Sequence, residues 1–123
     1  MSLKNLDLSQ VGKQFEKNIL RKNDILKNPF LQFQKWYEEA TNHDDREANI
    51  MTLATANLAG RPSARTVLLK AFSEAGFIFY TNYESEKGKA ILNNPNVCIS
   101  FFWPAAERQI IIKGKAEKIA TNL

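Results

Sequence analysis

The sequence predicts a mainly β protein with flanking helices, built as a small antiparallel barrel. After residue 49 the apolar residues follow the two-residue period of strands, whereas before it they follow the three-to-four spacing of a helix. Short turn sequences containing glycine or proline separate the apolar runs, so consecutive strands are expected to pair as antiparallel neighbours. Five strands that are largely apolar on both faces favour a barrel over an open sheet, because closure removes unpaired strand edges.

The expected strands cover residues 50–56, 63–72, 77–82, 97–103 and 107–119. The turns at 57–62 and 73–76 join the first three strands into a meander. A helix is expected to begin with Asn28 as N-cap and Pro29 in its first turn. Its apolar residues form a stripe on one side, and this side should lie against the sheet. The stripe consists of Phe30, Phe33, Trp36, Tyr37 and Ala40. Residues 85–94, with Ser85 as cap, form a shorter helix. The last strand leaves an edge that a second subunit could protect.

The positive charge of the chain is concentrated at its N-terminus. The formal net charge is +4, and residues 1–28 hold six basic side chains against three acidic ones. This segment could attract a phosphorylated small molecule or a nucleic acid, or it could be a solvated surface. We therefore divide the chain into a basic, partly ordered N-terminal arm, residues 1–28, and a barrel domain, residues 29–123.

Several common kinds of site are not expected. The one histidine, His43, is interpreted as a surface cap at a helix end, which argues against a zinc site or a catalytic triad. The five glycines are scattered singly, so no glycine-rich phosphate loop is present and a cofactor must be held by side chains. The single cysteine, Cys98, lies in an apolar run and is expected to be a buried, inert thiol. No apolar stretch approaches the ~20 residues of a membrane helix, and no secretory signal is evident, so a cytoplasmic protein is expected.

The run 65–70 is the most informative part of the sequence. On a strand, Arg65, Val67 and Leu69 share one face, while Thr66, Leu68 and Lys70 share the other. Two cations on opposite faces of an apolar strand are costly unless each meets an anion or extends into water. Lys87 falls near the start of the short helix, where backbone N–H groups and the helix dipole favour a phosphate. An exposed helix lysine is the alternative interpretation of Lys87.

Four segments, in this order and spacing, resemble the signatures of the pyridoxamine 5′-phosphate oxidase family. They are Arg65-Thr66-Val67-Leu68-Leu69-Lys70, Gly76 through Asn82, Asn93-Asn94-Pro95, and Trp103-Pro104 with Glu107-Arg108-Gln109. The resemblance runs from about Asn28 to the last residue, and the family continues beyond the position of Leu123, so the barrel domain is expected to be C-terminally incomplete. It implies an FMN-binding split barrel that forms a homodimer with FMN at the subunit interface. It also implies oxidation of pyridoxamine or pyridoxine 5′-phosphate to pyridoxal 5′-phosphate, with dioxygen as electron acceptor.

The resemblance also implies which residues contact the ligands. The implied cofactor contacts are Arg65, Thr66, Val67, Leu68, Leu69, Lys70, Tyr80, Thr81, Lys87 and Gln109, and Lys70 is also implied to meet the substrate phosphate. No metal is implied, and no catalytic acid or base is assigned, because the flavin carries the chemistry. Two positions depart from the family: Glu86 stands where an arginine is usual and should weaken phosphate binding, and Phe15 stands where the arm often has a tyrosine.

Two other functions are compatible with the sequence. A relative of the same fold could hold flavin or a B6 phosphate without turning it over. A small barrel could instead bind nucleic acid through the basic arm. Against the second alternative, Phe79, Phe101 and Phe102 are expected in strand cores rather than on a stacking surface, so a nucleic acid is not expected as a partner. A membrane is not expected as a partner either, because no apolar stretch is long enough to cross one.

Overall fold

A computed structural model describes residues 26–42, 47–80, 89, 91 and 93–119. This part of the chain contains one helix, α1 (Pro29–Asn42), and five strands: β1 (Ile50–Ala56), β2 (Pro62–Ser73), β3 (Gly76–Phe79), β4 (Asn96–Trp103) and β5 (Arg108–Lys115). All strand pairs are antiparallel and form one sheet in the order β3-β2-β1-β4-β5, curled into a half-barrel. The predicted mainly β, antiparallel architecture is therefore confirmed. In the described ranges, no helix is long and apolar enough to span a membrane.

The start of α1 follows the capping chemistry expected from the sequence. The Oδ1 atom of Asn28 accepts hydrogen bonds from the backbone N–H groups of Phe30, at 2.9 Å, and Leu31, at 3.4 Å. The carbonyl of Asn28 accepts the first intrahelical bond, from Gln32, at 3.0 Å. Pro29 stands in the first turn, where its missing N–H would have no intrahelical partner in any case. The predicted N-cap is confirmed.

Phe33 joins α1 to the sheet. Its side chain is only 4% exposed. Its ring lies 4.9 Å from that of Phe72, 5.0 Å from that of Phe77 and 5.3 Å from that of Phe101, measured between centroids. Aromatic rings at these separations attract one another beyond their buried area. The prediction that the helix lies against the sheet is confirmed.

The two faces of the sheet differ in composition and burial. The face that packs with α1, the core face, carries Met51, Leu53, Val67, Leu69, Ile99, Phe101 and Trp103, all buried. The indole Nε1 of Trp103 donates a hydrogen bond to the carbonyl of Ala48 at 2.9 Å, which ties the end of β4 to the segment before β1. The opposite face, the outer face, is not covered by any described element.

A β-bulge interrupts β2 at Lys70. Leu69 lies opposite Phe79, but Ala71 lies opposite Ile78, so Lys70 is the extra residue and has no partner in β3. A bulge shifts the alternation of side chains by one position. Consequently Leu69 and Phe72, three residues apart, both pack in the core, while Lys70 and Ala71 are both exposed.

The predicted strands agree with the structure to within one residue except at two ends. β5 ends at Lys115, not at residue 119, because Lys115 pairs with Asn96, the first residue of β4; the next backbone N–H, of Ala116, bonds to the carbonyl of Pro95. β3 ends at Phe79, and Tyr80 follows it outside the strand. Between these two edge strands lies a cavity of about 470 Å³, lined among others by Phe77, Phe79, Ile91, Lys115 and Ile119.

Several expectations fall on residues that the structure does not describe. The arm is described only from residue 26, and His43 and Ser85 lie outside the described residues. Of the predicted helix at 85–94, Lys89, Ile91 and Asn93 are described as helical. Cys98 is a free thiol and is half-buried, so it is less enclosed than predicted.

Candidate cofactor site

One row of side chains crosses the outer face of the sheet. Leu68 of β2 lies opposite Ile50 of β1, and Phe102 of β4 lies opposite Gln109 of β5. Continuing the β1–β4 register by two residues from the Thr52–Ser100 pair places Ile50 opposite Phe102. Continuing the β2–β3 register by one residue from the Leu69–Phe79 pair places Tyr80 opposite Leu68. We call Tyr80, Leu68, Ile50, Phe102 and Gln109 the outer row.

The outer row forms an exposed apolar surface with a polar group at each end. The exposed fractions are 69% for Tyr80, 42% for Leu68, 37% for Ile50 and 57% for Phe102, and Gln109 is exposed as well. The next row on the same face ends at Ile111, which is 56% exposed. Contiguous exposed apolar side chains on a sheet typically mark a ligand site or a protein interface.

The neighbouring row consists mostly of small polar residues. Thr66, Thr52, Ser100 and Ile111 lie opposite one another across β2, β1, β4 and β5. Because the side chains of Thr66, Thr52 and Ser100 are short, a planar group or a second sheet could approach the backbone of these strands closely. Thr66, which the family resemblance implies as a cofactor contact, therefore lies directly beside the outer row.

The structure divides the predicted run 65–70 between two environments. The side chains of Thr66, Leu68 and Lys70 are exposed, whereas Val67 and Leu69 are 6% and 5% exposed and belong to the core. Val67 and Leu69 could therefore contact a cofactor only through their backbone. The carbonyl of Leu69 is also 3.4 Å from the Nδ2 of Asn49, and its N–H bonds to the carbonyl of Asn49 at 2.8 Å.

Arg65 is exposed although it has the parity of the core face. It lies opposite Leu53, which is buried, and Thr55, one core-face pair further along β1, is buried as well, so the exposure at this end is confined to β2. Every residue of β2 from Pro62 to Thr66 is exposed. The guanidinium of Arg65 is thus accessible to an anion at the margin of the sheet, and Lys70 is accessible at the bulge.

The geometry places Leu68 and Gln109, two of the implied cofactor residues, on the same face of the sheet, and Tyr80 follows β3 next to Leu68 if the β2–β3 register continues by one residue. Neighbouring strands lie about 4.8 Å apart, so Leu68 and Gln109, three strand spacings apart, are separated by about 14 Å along a flat sheet. One ligand contacts both only if it is elongated along the row or lies between two copies of the outer face. Thr81 and Lys87, and the departures Glu86 and Phe15, lie outside the described residues.

The sequence interpretation was wrong about Phe102. It placed Phe79, Phe101 and Phe102 in strand cores; Phe101 is fully buried and Phe79 packs against the core, but Phe102 is on the outer face. Strand alternation supplies the missing signal, because Phe101 and Phe102 are adjacent and cannot share a face. Ile50, which completes the outer row, was also missed. In the described ranges, no group of three or more His, Cys, Asp or Glu side chains could hold a metal ion.

Comparison with known proteins identifies the family and the fold of this chain. A family model described as pyridoxamine 5′-phosphate oxidase matches residues 38–122. The pyridoxine/pyridoxamine 5′-phosphate oxidase of Flavobacterium psychrophilum is 54% identical over 118 residues, covering 95% of this chain and 55% of the relative. The enzyme of the same name from Crocosphaera subtropica is 47% identical over 116 residues, covering 94% of this chain and 54% of the relative. The chain thus spans about half the length of the curated relatives it matches.

Two solved structures share the fold. The chain is similar to PhzG from Burkholderia lata 383, solved in complex with tetrahydrophenazine-1-carboxylic acid, with a TM-score of 0.75, 27% identity, and coverage of 80% of this chain and 50% of PhzG. A pyridoxamine 5′-phosphate oxidase-related, FMN-binding protein from Nostoc punctiforme gives a TM-score of 0.62 at 24% identity, covering 74% of this chain and 47% of that protein. The split-barrel fold is confirmed. Because the family model covers more than half of the residues and the relatives are about half identical over nearly the whole chain, this chain belongs to the pyridoxamine 5′-phosphate oxidase family, a family of oxidase enzymes.

Proposed function

We propose that this protein is an FMN-dependent oxidase that converts pyridoxamine or pyridoxine 5′-phosphate to pyridoxal 5′-phosphate, with dioxygen as electron acceptor. The observation that carries the proposal is the outer row: Leu68, Ile50, Phe102 and Gln109 are exposed on one face of the sheet, and the exposed Tyr80 directly follows β3. The family resemblance implies that Leu68, Gln109 and Tyr80 contact the cofactor. The names of the curated relatives support the substrate class.

The exposed residues fit the chemistry of FMN. Leu68, Ile50 and Phe102 offer an apolar surface to a flat ring system, and the Gln109 amide offers both a donor and an acceptor to ring nitrogens and oxygens. Lys70 and Arg65 supply accessible cations for phosphate groups, and lysine serves phosphate oxygens without a fixed geometry. FMN, when bound, would supply the redox chemistry: the C4′ carbon of the substrate would lose a hydride equivalent, and dioxygen would be the final oxidant and be reduced to hydrogen peroxide. With the amine substrate, water would then replace the nitrogen and ammonia would leave.

The chain's own residues orient and anchor rather than transfer protons. Lys70 is the extra residue of the bulge, and its side chain is exposed. Its ammonium group can therefore extend toward a substrate phosphate. Positioning of this kind is a large part of the rate enhancement when a cofactor carries the reaction. The proposal therefore assigns Lys70 to the substrate phosphate, and Arg65 and Gln109 to the cofactor.

A homodimer is part of the proposal. The exposed apolar outer row and the separation of about 14 Å between Leu68 and Gln109 both favour a cofactor lying between two copies of the outer face. In a symmetric dimer the same patch is used by both protomers, so Gln109 of one copy can approach Leu68 of the other. A cytoplasmic location, expected from the sequence, also belongs to the proposal, and cell fractionation tests it.

The test begins with flavin binding to the purified chain and then measures turnover. Titration with FMN should quench flavin fluorescence, and Gln109→Ala should weaken the affinity about three- to tenfold, the worth of one neutral hydrogen bond. Gln34→Ala, at an exposed glutamine of α1, the helix that packs on the core face, is the matched control and should leave the affinity unchanged.

Addition of pyridoxamine 5′-phosphate to the FMN-loaded protein in air should release hydrogen peroxide and pyridoxal 5′-phosphate in equal amounts. Flavin binding without peroxide release would instead assign the non-catalytic flavin-binding role. Absence of any flavin binding by the wild-type chain would refute the proposal.

A further inference from the structure

Arg108, the first residue of β5, is held by two side chains of α1. Its Nη1 forms an ion pair with the Oε2 of Glu39, and its guanidinium carbon lies 4.9 Å from the centre of the Trp36 ring. Trp36 and Glu39 are three residues apart and therefore lie on the same side of the helix. The side chains of Arg108 and Glu39 are only 19% and 32% exposed, so the ion pair is less screened by water than a surface pair.

The ion pair lies directly behind the polar end of the outer row. Arg108 lies opposite Trp103 on the core face, and the next residue, Gln109, lies opposite Phe102 on the outer face. Because adjacent residues of a strand point to opposite faces, the direction of Gln109 depends on the orientation of the backbone at Arg108. Arg108, which cannot contact a ligand on the outer face, can thus influence the orientation of Gln109, which can.

The residue before Arg108 has an energetically unfavourable backbone conformation. Glu107 has a φ of 58°, in the left-handed region that non-glycine residues rarely adopt. Its N–H bonds to the carbonyl of Pro104 at 3.1 Å and closes the turn between β4 and β5. Such a conformation persists only where the surrounding structure holds it, and the contacts of Arg108 with α1 are adjacent to it.

We propose that Glu39, Trp36 and Arg108 form a clamp that fixes the start of β5 and thereby positions Gln109 on the outer face. Glu39 and Arg108 are positioning residues, since neither lies on the outer face. The cofactor-binding consequence rests on the proposed function; the effect on the start of β5 does not.

The first experiment measures hydrogen–deuterium exchange of the full chain without FMN. Glu39→Gln removes the charge of the clamp and should raise the exchange rate of residues 107–110 at least about threefold, while residues 112–115 of the same strand change little. Glu38→Gln, which removes the same charge from an exposed position of the same helix, is the matched control and should change neither segment. Unchanged exchange at 107–110, or an equal increase along all of β5, would overturn the clamp.

The second experiment tests the link to the cofactor by a double-mutant cycle in FMN affinity. Glu39→Gln alone should weaken FMN about threefold to tenfold. In a Gln109→Ala background the same substitution should have no further effect, because the residue it positions is gone. Equal losses in both backgrounds would mean that Glu39 acts on overall stability and not through Gln109. If the wild-type chain binds no FMN, the proposed function fails, while the exchange experiment still decides whether the clamp exists.

Discussion

Replacing Phe102 by aspartate should separate the proposed homodimer while leaving the protomer folded. A phenylalanine side chain buries roughly 200 Å² in a core, and Phe102 is 57% exposed in the protomer, so about 110 Å² remains for an interface. At ~25 cal/mol per Å², this area is worth about 3 kcal/mol per protomer and about 5 to 6 kcal/mol per symmetric dimer. A loss of that size corresponds to roughly four powers of ten in the dimer dissociation constant.

Sedimentation velocity at micromolar protein, with FMN present, measures this loss directly. Wild-type protein should sediment as a dimer and Phe102→Asp as a monomer. Leu58→Asp is the matched control, because Leu58 is 79% exposed but lies in the turn between β1 and β2. Substitutions at exposed sites usually change the free energy of unfolding of a protomer by less than about 0.5 kcal/mol, so Phe102→Asp should keep the far-ultraviolet circular dichroism of the wild type. Because association stabilises the native state by mass action, Phe102→Asp should unfold at a lower temperature than the wild-type dimer, whereas Leu58→Asp should unfold like the wild type. An unchanged dimer fraction in Phe102→Asp would refute the placement of the interface on the outer row.

Three further substitutions test the site, the core and the helix start. Arg65→Ala should weaken FMN roughly ten- to a hundredfold, the worth of a charge-assisted contact, whereas Lys35→Ala, at an exposed position of α1, should not; equal affinities in fluorescence titration would remove Arg65 from the site. Phe33→Ala should lower the free energy of unfolding by about 3–5 kcal/mol in urea denaturation, and a loss below about 1 kcal/mol would contradict the role of Phe33 in joining helix and sheet. Asn28→Ala should cost about 1 kcal/mol in the same measurement while Asn28→Asp retains stability, since both Asn and Asp can accept the two N–H bonds of the cap.

The strands and the helix start could be predicted from the sequence because their causes are local. The two-residue period after residue 49 reflects the alternation of buried and exposed side chains that the structure shows in β1. Asn28 and Pro29 have chemical properties suited to a helix start regardless of the rest of the fold. The end of β5 was placed too late because the strand is limited by its partner, whose first residue, Asn96, pairs with Lys115.

The outer row and the clamp depend on register, which is not local. The run Val97–Trp103 is almost continuously apolar, so composition alone does not show that Phe102 points away from the core. Arg108 and Glu39 are 69 residues apart in sequence, and neither has a local feature that indicates the other. No glycine or proline lies next to Lys70, so the sequence does not indicate a bulge there. The bulge is recognised only from the strand pairing, in which Leu69 and Ala71 lie opposite consecutive residues of β3.

Strand β2 contributes residues both to the core and to the candidate site, and mutations can distinguish the two groups. Val67 and Leu69 are held by core packing, so the outward-pointing Thr66 and Leu68 between and beside them have a fixed direction without support from a loop. A substitution at Val67 or Leu69 removes buried area, and any effect on cofactor affinity should therefore follow the loss of stability. A substitution at Thr66 or Leu68 removes little buried area, so an effect on affinity there should occur at nearly constant stability. The alternation of β2 thus separates residues that hold the site from residues that contact the ligand, although all of them belong to the same run in the sequence.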